Sequence, residues 1–142
     1  MENSINYHCE NVEPPFGPAE EETISEWLKK IVNFENGRLH ALNYIFCDDA
    51  YLHRLNVEYL DHDTLTDVIT FPYQPPPRVE GDIFISVERT RENAVELGLP
   101  PEQELRRVMV HGLLHLLGYG DKTPEEQVLM RAKENNCLGL LP

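Results

Sequence analysis

The segment PPEQELRRVMVHGLLHLLGYGD, Pro100 to Asp121, constrains this chain more than any other. Pro100 and Pro101 open a helix, where proline is tolerated because first-turn N–H groups have no partner inside the helix. Glu102 and Glu104 sit near the positive end of the helix dipole. An apolar run then passes through Leu105, Val108 and Met109 to Leu117, and Gly118 stops it. His111 and His115 lie within that run. Residues four apart share one helix face, one turn above the other. The pair therefore reads either as two half-buried core imidazoles or as two ligands of one ion.

The residues that follow favour the ion. Gly118 lets the chain turn back, and Tyr119 can anchor the turn. Asp121 lies ten residues beyond His111, free of the helix and able to swing under both imidazoles. A carboxylate is a competent zinc ligand, and two histidines, a carboxylate and a water make a tetrahedral site with one open position. That is a catalytic arrangement rather than a closed structural one. The spacing resembles H-E-x-x-H-x-x-G-x-x-H/D of the metzincin proteases, with Asp121 in third place. The glutamate those proteases use as general base is missing, because Gly112 follows His111. Glu104 is nearly two turns too early to replace it. Conventional peptide hydrolysis is disfavoured on chemistry alone.

The rest of the chain supplies a scaffold. Strands are expected at Ile5–Cys9, from Leu39 to Phe46, at Val68–Phe71 and at Asp82–Ser86. Helices are expected from Ala19 to Phe34, after an Asp48 or Asp49 cap to about Tyr59, from Val87 to Leu97 under a Ser86 cap, through the histidine segment, and from Thr123 to about Asn135. The proline-rich PYQPPPRVEGD cannot be regular sheet or helix, and the two strands it joins can form an antiparallel pair. The tail LGLLP can dock or fray. Strands and helices do not alternate regularly, so the expectation is an α+β fold. It has a small, mostly four-stranded mixed sheet and about five helices. With 142 residues the chain forms one domain, residues 1–142.

Charge complicates the functional reading. Twenty-five acids against 12 bases give a net charge of -13, a field that repels polyanions at long range. Cys9, Cys47 and Cys137 are far apart with no C-x-x-C, and read as free thiols of a reducing compartment. The N-terminus lacks the basic and apolar regions of a secretory signal, and no apolar run is long enough to span a bilayer. A cytoplasmic protein without membrane contact is expected.

Three blocks of sequence resemble the YbeY family, bacterial endoribonucleases linked to ribosomal RNA maturation. HGLLHLLGYGD is similar to the family's H-G-x-L-H-L-x-G-Y-D-H. LNVEYLDHDTLTDVITF, residues 55–71, resembles L-N-x-x-Y-R-x-x-D-x-x-T-D-V-L-S-F, and GDIFIS, residues 81–86, resembles G-D-I-x-I-S. The blocks run in order with compatible spacing and cover most of the chain from about Leu39 onward. Position by position, the family's three zinc-binding histidines fall on His111, His115 and Asp121. A carboxylate thus stands where relatives carry imidazole, which makes the metal a weaker Lewis acid. Gly120 replaces the preceding aspartate. Leu60 stands where the pattern usually has an arginine thought important for catalysis or RNA binding.

The resemblance implies one Zn2+ ion and a single-strand-specific endoribonuclease. It would act in rRNA processing, in 16S rRNA 3′-end maturation and ribosome quality control. Its partners would be single-stranded or ribosomal RNA, with possible docking to the ribosome or a ribosomal protein. The ion would polarise a scissile phosphate, with water or the ribose 2′-hydroxyl attacking. No general base is assigned. Arg107, one turn before His111, is a weak phosphate-contact candidate, its bland role being an ion pair with Glu104 or Glu102. Arg78 and His62 are further candidates; Asp67 and Asp82 flank strand starts and read as groups that orient neighbours or cap turns rather than bind metal, and Tyr119 packs. The alternatives are a metallohydrolase of another substrate such as a peptide, or a catalytically weak, metal-stabilised ribosome-assembly protein. Oligomeric state is left open.

Overall fold

In the computed structural model, which describes residues 4–61 and 66–141, the elements run β1 (Ser4–Glu10), α1 (Pro18–Phe34), β2 (Arg38–Cys47), α2 (Asp49–Leu60), β3 (Val68–Pro72), β4 (Arg78–Ser86), α3 (Val87–Leu97), α4 (Pro101–Leu116) and α5 (Pro124–Leu138). The expected α+β architecture is present: five helices pack on a four-stranded mixed sheet of order β1-β2-β4-β3. β1, β2 and β4 are parallel, and β3 pairs antiparallel with β4 at the edge.

Period-two alternation sorts the strand side chains between two faces. Tyr44 and Phe46 of β2 and Ile83 and Ile85 of β4 face the main core with α1 and α4. Phe84, between the latter two, faces a smaller cluster of Cys47, Leu52 and Ile69 under α2. Helix α4 is the centre of the main core: Val108, Met109, Val110, Leu113 and Leu114 are buried. Each such aliphatic side chain stabilises the fold by about 1.5–3 kcal/mol. Two buried polar tips are satisfied across elements. The Tyr44 hydroxyl donates to Met109 O at 2.9 Å, and Trp27 Nε1 donates to Cys137 O at 2.8 Å, tying α1 to α5.

Local chemistry sets the boundaries. The Asp48 side chain accepts from Tyr51 N at 2.9 Å and starts α2. Ser86 accepts from Arg89 N and starts α3, while Gly98, at φ 69°, ends it. Thr123 and Glu126 form a reciprocal capping box at the start of α5. Strand β4 begins four residues before the expected Asp82. The expectation that PYQPPPRVEGD excludes regular sheet holds only from Tyr73 to Pro77: Pro72 ends β3, and Arg78–Asp82 belong to β4. Past the prolines, Arg78–Gly81 find partners on β2 from Arg38 to Leu42, so tertiary pairing extends the strand. Helix α5 likewise continues to Leu138, and Leu140 and Leu141 of the tail pack against the main core.

Candidate metal centre

The geometry of the centre begins with how α4 stops. Gly118 N donates to His115 O and Tyr119 N to Leu114 O, each at 3.0 Å, while Gly118 adopts φ 106°. These bonds satisfy the last helix carbonyls and reverse the chain through a residue without a side chain. The reversal returns Asp121 to the histidine face. Its Oδ2 lies 3.1 Å from His111 Nε2 and 3.2 Å from His115 Nε2, and the two Nε2 atoms are 3.1 Å apart.

The partners of the other ring nitrogens decide what these three atoms are. His115 Nδ1 lies 2.9 Å from Tyr119 O, which can only accept, so Nδ1 carries the proton. His111 Nδ1 lies 2.7 Å from Glu134 Oε2, and Glu134 is held in its ionised form. In the neutral histidines both Nε2 lone pairs then face Asp121 Oδ2. Three acceptors converge with no donor among them, an arrangement that a cation relieves. Ligands at about 2.0–2.1 Å from a tetrahedral zinc lie about 3.3 Å from one another, so the spacing fits one ion. His111, His115 and Asp121 thus form a triad capable of chelating a metal, consistent with a single Zn2+ site.

Behind His111 runs a buried chain of charges. Glu134 of α5 is 1% exposed and Glu104 of α4 is 0% exposed. Arg107 lies between them, donating from Nε to Glu104 at 2.9 Å and from Nη1 to Glu134 at 2.9 Å. Two carboxylates around one guanidinium leave a surplus negative charge next to the imidazole. Without metal, burial opposes ionisation of Glu134, but the hydrogen bonds from His111 and Arg107 prevail and hold its pKa below 4.5. Burial likewise lowers the affinity of His111 for a proton, yet Glu134 and Asp121 outweigh it and raise its pKa above 6.5. Burial of Asp121 is outweighed in the same way by the charges of His115 and His111, so its pKa is lowered.

The glycines of the motif have steric reasons. A Cβ on Gly112 would lie 2.8 Å from Ile83 Cγ2 and 3.2 Å from Thr70 Oγ1. α4 therefore presses its backbone against the sheet at the position where metalloproteases carry their glutamate. A Cβ on Gly120 would lie 2.8 Å from Glu126 Oε1. That carboxylate accepts from Lys122 N and Thr123 N, and an aspartate at 120 would set a second negative charge against it.

The triad opens into a cleft of about 560 Å³ walled by α4, β3 and the end of α2. Leu60 lines it, exposing an apolar side chain. Asp67 lines it as well; burial raises its pKa, and Asn93 Nδ2 donates to its Oδ2 at 3.3 Å. Lys122 is the one Lys or Arg among the described lining residues.

Of the other sequence candidates, Arg107 is committed to Glu104 and Glu134. Arg78 is exposed at the start of β4. Asp82 accepts from Asn43 and Tyr73. Tyr119 donates to Glu35 at 2.6 Å under the Lys133 ammonium. His62 lies outside the described residues. Sequence reasoning missed Glu134, Lys122 and the buried role of Glu104. Glu134 sits in the polar stretch RAKENN, where an acid reads as solvated; only the packing of α5 on α4 reveals it.

A family model described as Endoribonuclease YbeY matches residues 10–141. The chain belongs to that family. Among YbeY relatives, a protein named Endoribonuclease YbeY from Flavobacterium johnsoniae is 45% identical over 92% of this chain and 94% of its own length. Its namesake from Flavobacterium psychrophilum is 48% identical over 92% and 93%. A solution structure of a Thermotoga maritima protein superposes with a TM-score of 0.70 at 29% identity, covering 97% of this chain and 89% of that one. Among the described residues no helix is long and apolar enough to cross a membrane.

Proposed function

We propose that the chain is a cytoplasmic, single-domain, zinc-dependent endoribonuclease that cleaves single-stranded RNA during rRNA processing, with His111, His115 and Asp121 as its metal ligands. The observation that carries this reading is the convergence of three lone-pair donors at 3.1–3.2 Å on the wall of an open cleft. The name borne by the Flavobacterium relatives points to the same activity. When bound, the ion supplies a Lewis acid that polarises a phosphodiester and offsets the charge built up on it.

The chain's own groups do the rest. Glu134 and the Tyr119 carbonyl fix both imidazoles by their Nδ1 protons. Arg107 acts through Glu134 as a positioning residue. Among the described cleft residues Asp67 is the carboxylate outside the ligand set, and burial raises its pKa, the direction that favours a general base. It takes the proton of the attacking hydroxyl at a carboxylate oxygen. Lys122 meets a phosphate at the mouth, in place of the arginine that Leu60 cannot supply. Lys122, the one Lys or Arg among the described cleft residues, against a net charge of -13 leaves little electrostatic attraction for free RNA. Docking to a ribosomal partner that brings the RNA to the cleft fits that balance.

Peptide hydrolysis is the weaker reading, since Gly112 leaves no room for the glutamate it would need. An RNA cleavage assay with metal analysis on wild type, H111A, D121A and L60R tests the proposal. Metal-dependent cleavage by wild type, lost in H111A, supports it. Wild type that retains metal but cleaves neither RNA nor ribosomal particles would sink it in favour of a scaffold role.

A further inference from the structure

Beside the metal cleft lies a second, open cavity of about 410 Å³, and the two share Pro72, His115 and Leu116 as walls. The far side of this cavity is the proline-rich loop after β3, with Tyr73, Gln74, Pro75 and Pro76. Tyr73 is 57% exposed, high for a large aromatic. It is nonetheless held at both ends: its N–H donates to Glu80 O at 2.8 Å and its hydroxyl to Asp82 Oδ2 at 2.7 Å. Asp82 is itself fixed by Asn43 Nδ2 at 3.0 Å. The bond to Asp82, with burial, raises the phenol pKa to about 12, so the ring is neutral at physiological pH. The loop rests on the turn that carries the third ligand, where Pro76 Cγ lies 3.3 Å from the place a Cβ on Gly118 would occupy.

A fixed, solvent-facing, uncharged ring beside a phosphate-handling site suits a flat partner more than an ion. We propose that this cavity is a nucleobase subsite: the base of a nucleotide next to the scissile phosphate stacks on Tyr73, with the Gln74 amide within reach of its edge. The proposal rests on the endoribonuclease reading above and deepens it. Stacking needs no positive charge and tolerates every base, because each has a π face. It is therefore a means of holding single-stranded RNA open to a strongly acidic protein. A duplex, whose bases are already stacked on one another, cannot use it.

The test is cleavage and binding of a single-stranded oligoribonucleotide with one preferred cut, by zinc-loaded wild type, Y73A and Y73W. Companion substrates carry one abasic nucleotide at successive positions around the cut. Y73A should raise KM about tenfold with bound zinc unchanged, and Y73W should restore it. At one position next to the cut, the abasic substrate should cost wild type about tenfold and Y73A nothing further. A merely structural role for Tyr73 would not show that loss of coupling. Y73A equal to wild type, or a defect of the same size on every abasic substrate, would overturn the subsite while wild-type cleavage kept the nuclease reading. Wild type that neither binds nor cleaves RNA would overturn both.

Discussion

Glu134 Oε2 lies 2.7 Å from His111 Nδ1, across the interface between α5 and α4. One buried carboxylate thus sets the proton position of the His111 imidazole, and Arg107 sets the carboxylate. E134Q keeps the shape of the contact and removes its charge. Zinc affinity should fall about 10- to 100-fold, the usual cost of losing such a partner. Competition with a chromophoric chelator measures it, and an unchanged affinity would remove Glu134 from the centre's design.

Gly112 is a packing residue. G112A forces a methyl group toward Ile83 and Thr70. It should destabilise the protein by about 1–3 kcal/mol, read from the urea midpoint of the metal-free form. G112E should be worse still and should not create peptidase activity.

Protons and metal compete for the same lone pairs. His111 has a raised pKa in the metal-free protein, so zinc affinity should begin to fall above pH 6.5 as the solution is acidified. Stability of the metal-free form runs the other way. The raised His111 contributes fully below 6.5 and loses its contribution as pH rises through the folded-state value. The depressed Glu134 contributes above 4.5 and loses its contribution as pH falls through its folded-state value. Their pair should therefore stabilise the metal-free protein most between 4.5 and 6.5. Thermal melts across pH, with and without zinc, check both signs.

Asp67 and Lys122 separate by readout. D67N should lower kcat about 10²- to 10⁴-fold, the range for a general base, with zinc content intact. K122A should weaken RNA binding and reduce the log–log salt slope by about 0.7, one phosphate contact on a single strand. A D67N protein with wild-type kcat would return Asp67 to a purely structural role.

Much of this was legible in the sequence because local rules govern it. The i, i+4 histidines, the Gly118 stop and the return to Asp121 are short-range events, and so are the Asp48, Ser86 and Thr123 caps. The early start of β4 was not legible, because Arg78–Gly81 owe their pairing to β2, far away in sequence. Nor was the setting of Glu134 or of Glu104. A buried acid looks like a surface acid until the helix that covers it is in place. The tight approach at Gly112 became visible only with Ile83 beside it.

The most direct test of the central claim is stoichiometric reconstitution. Chelator-stripped protein is titrated with zinc while bound metal and cleavage of single-stranded RNA are followed together. Cleavage should rise linearly, reach a plateau at one ion per chain, and be absent at every zinc level in H111A. Cleavage that persists in the stripped protein, or that follows added zinc equally well in H111A, would contradict the account.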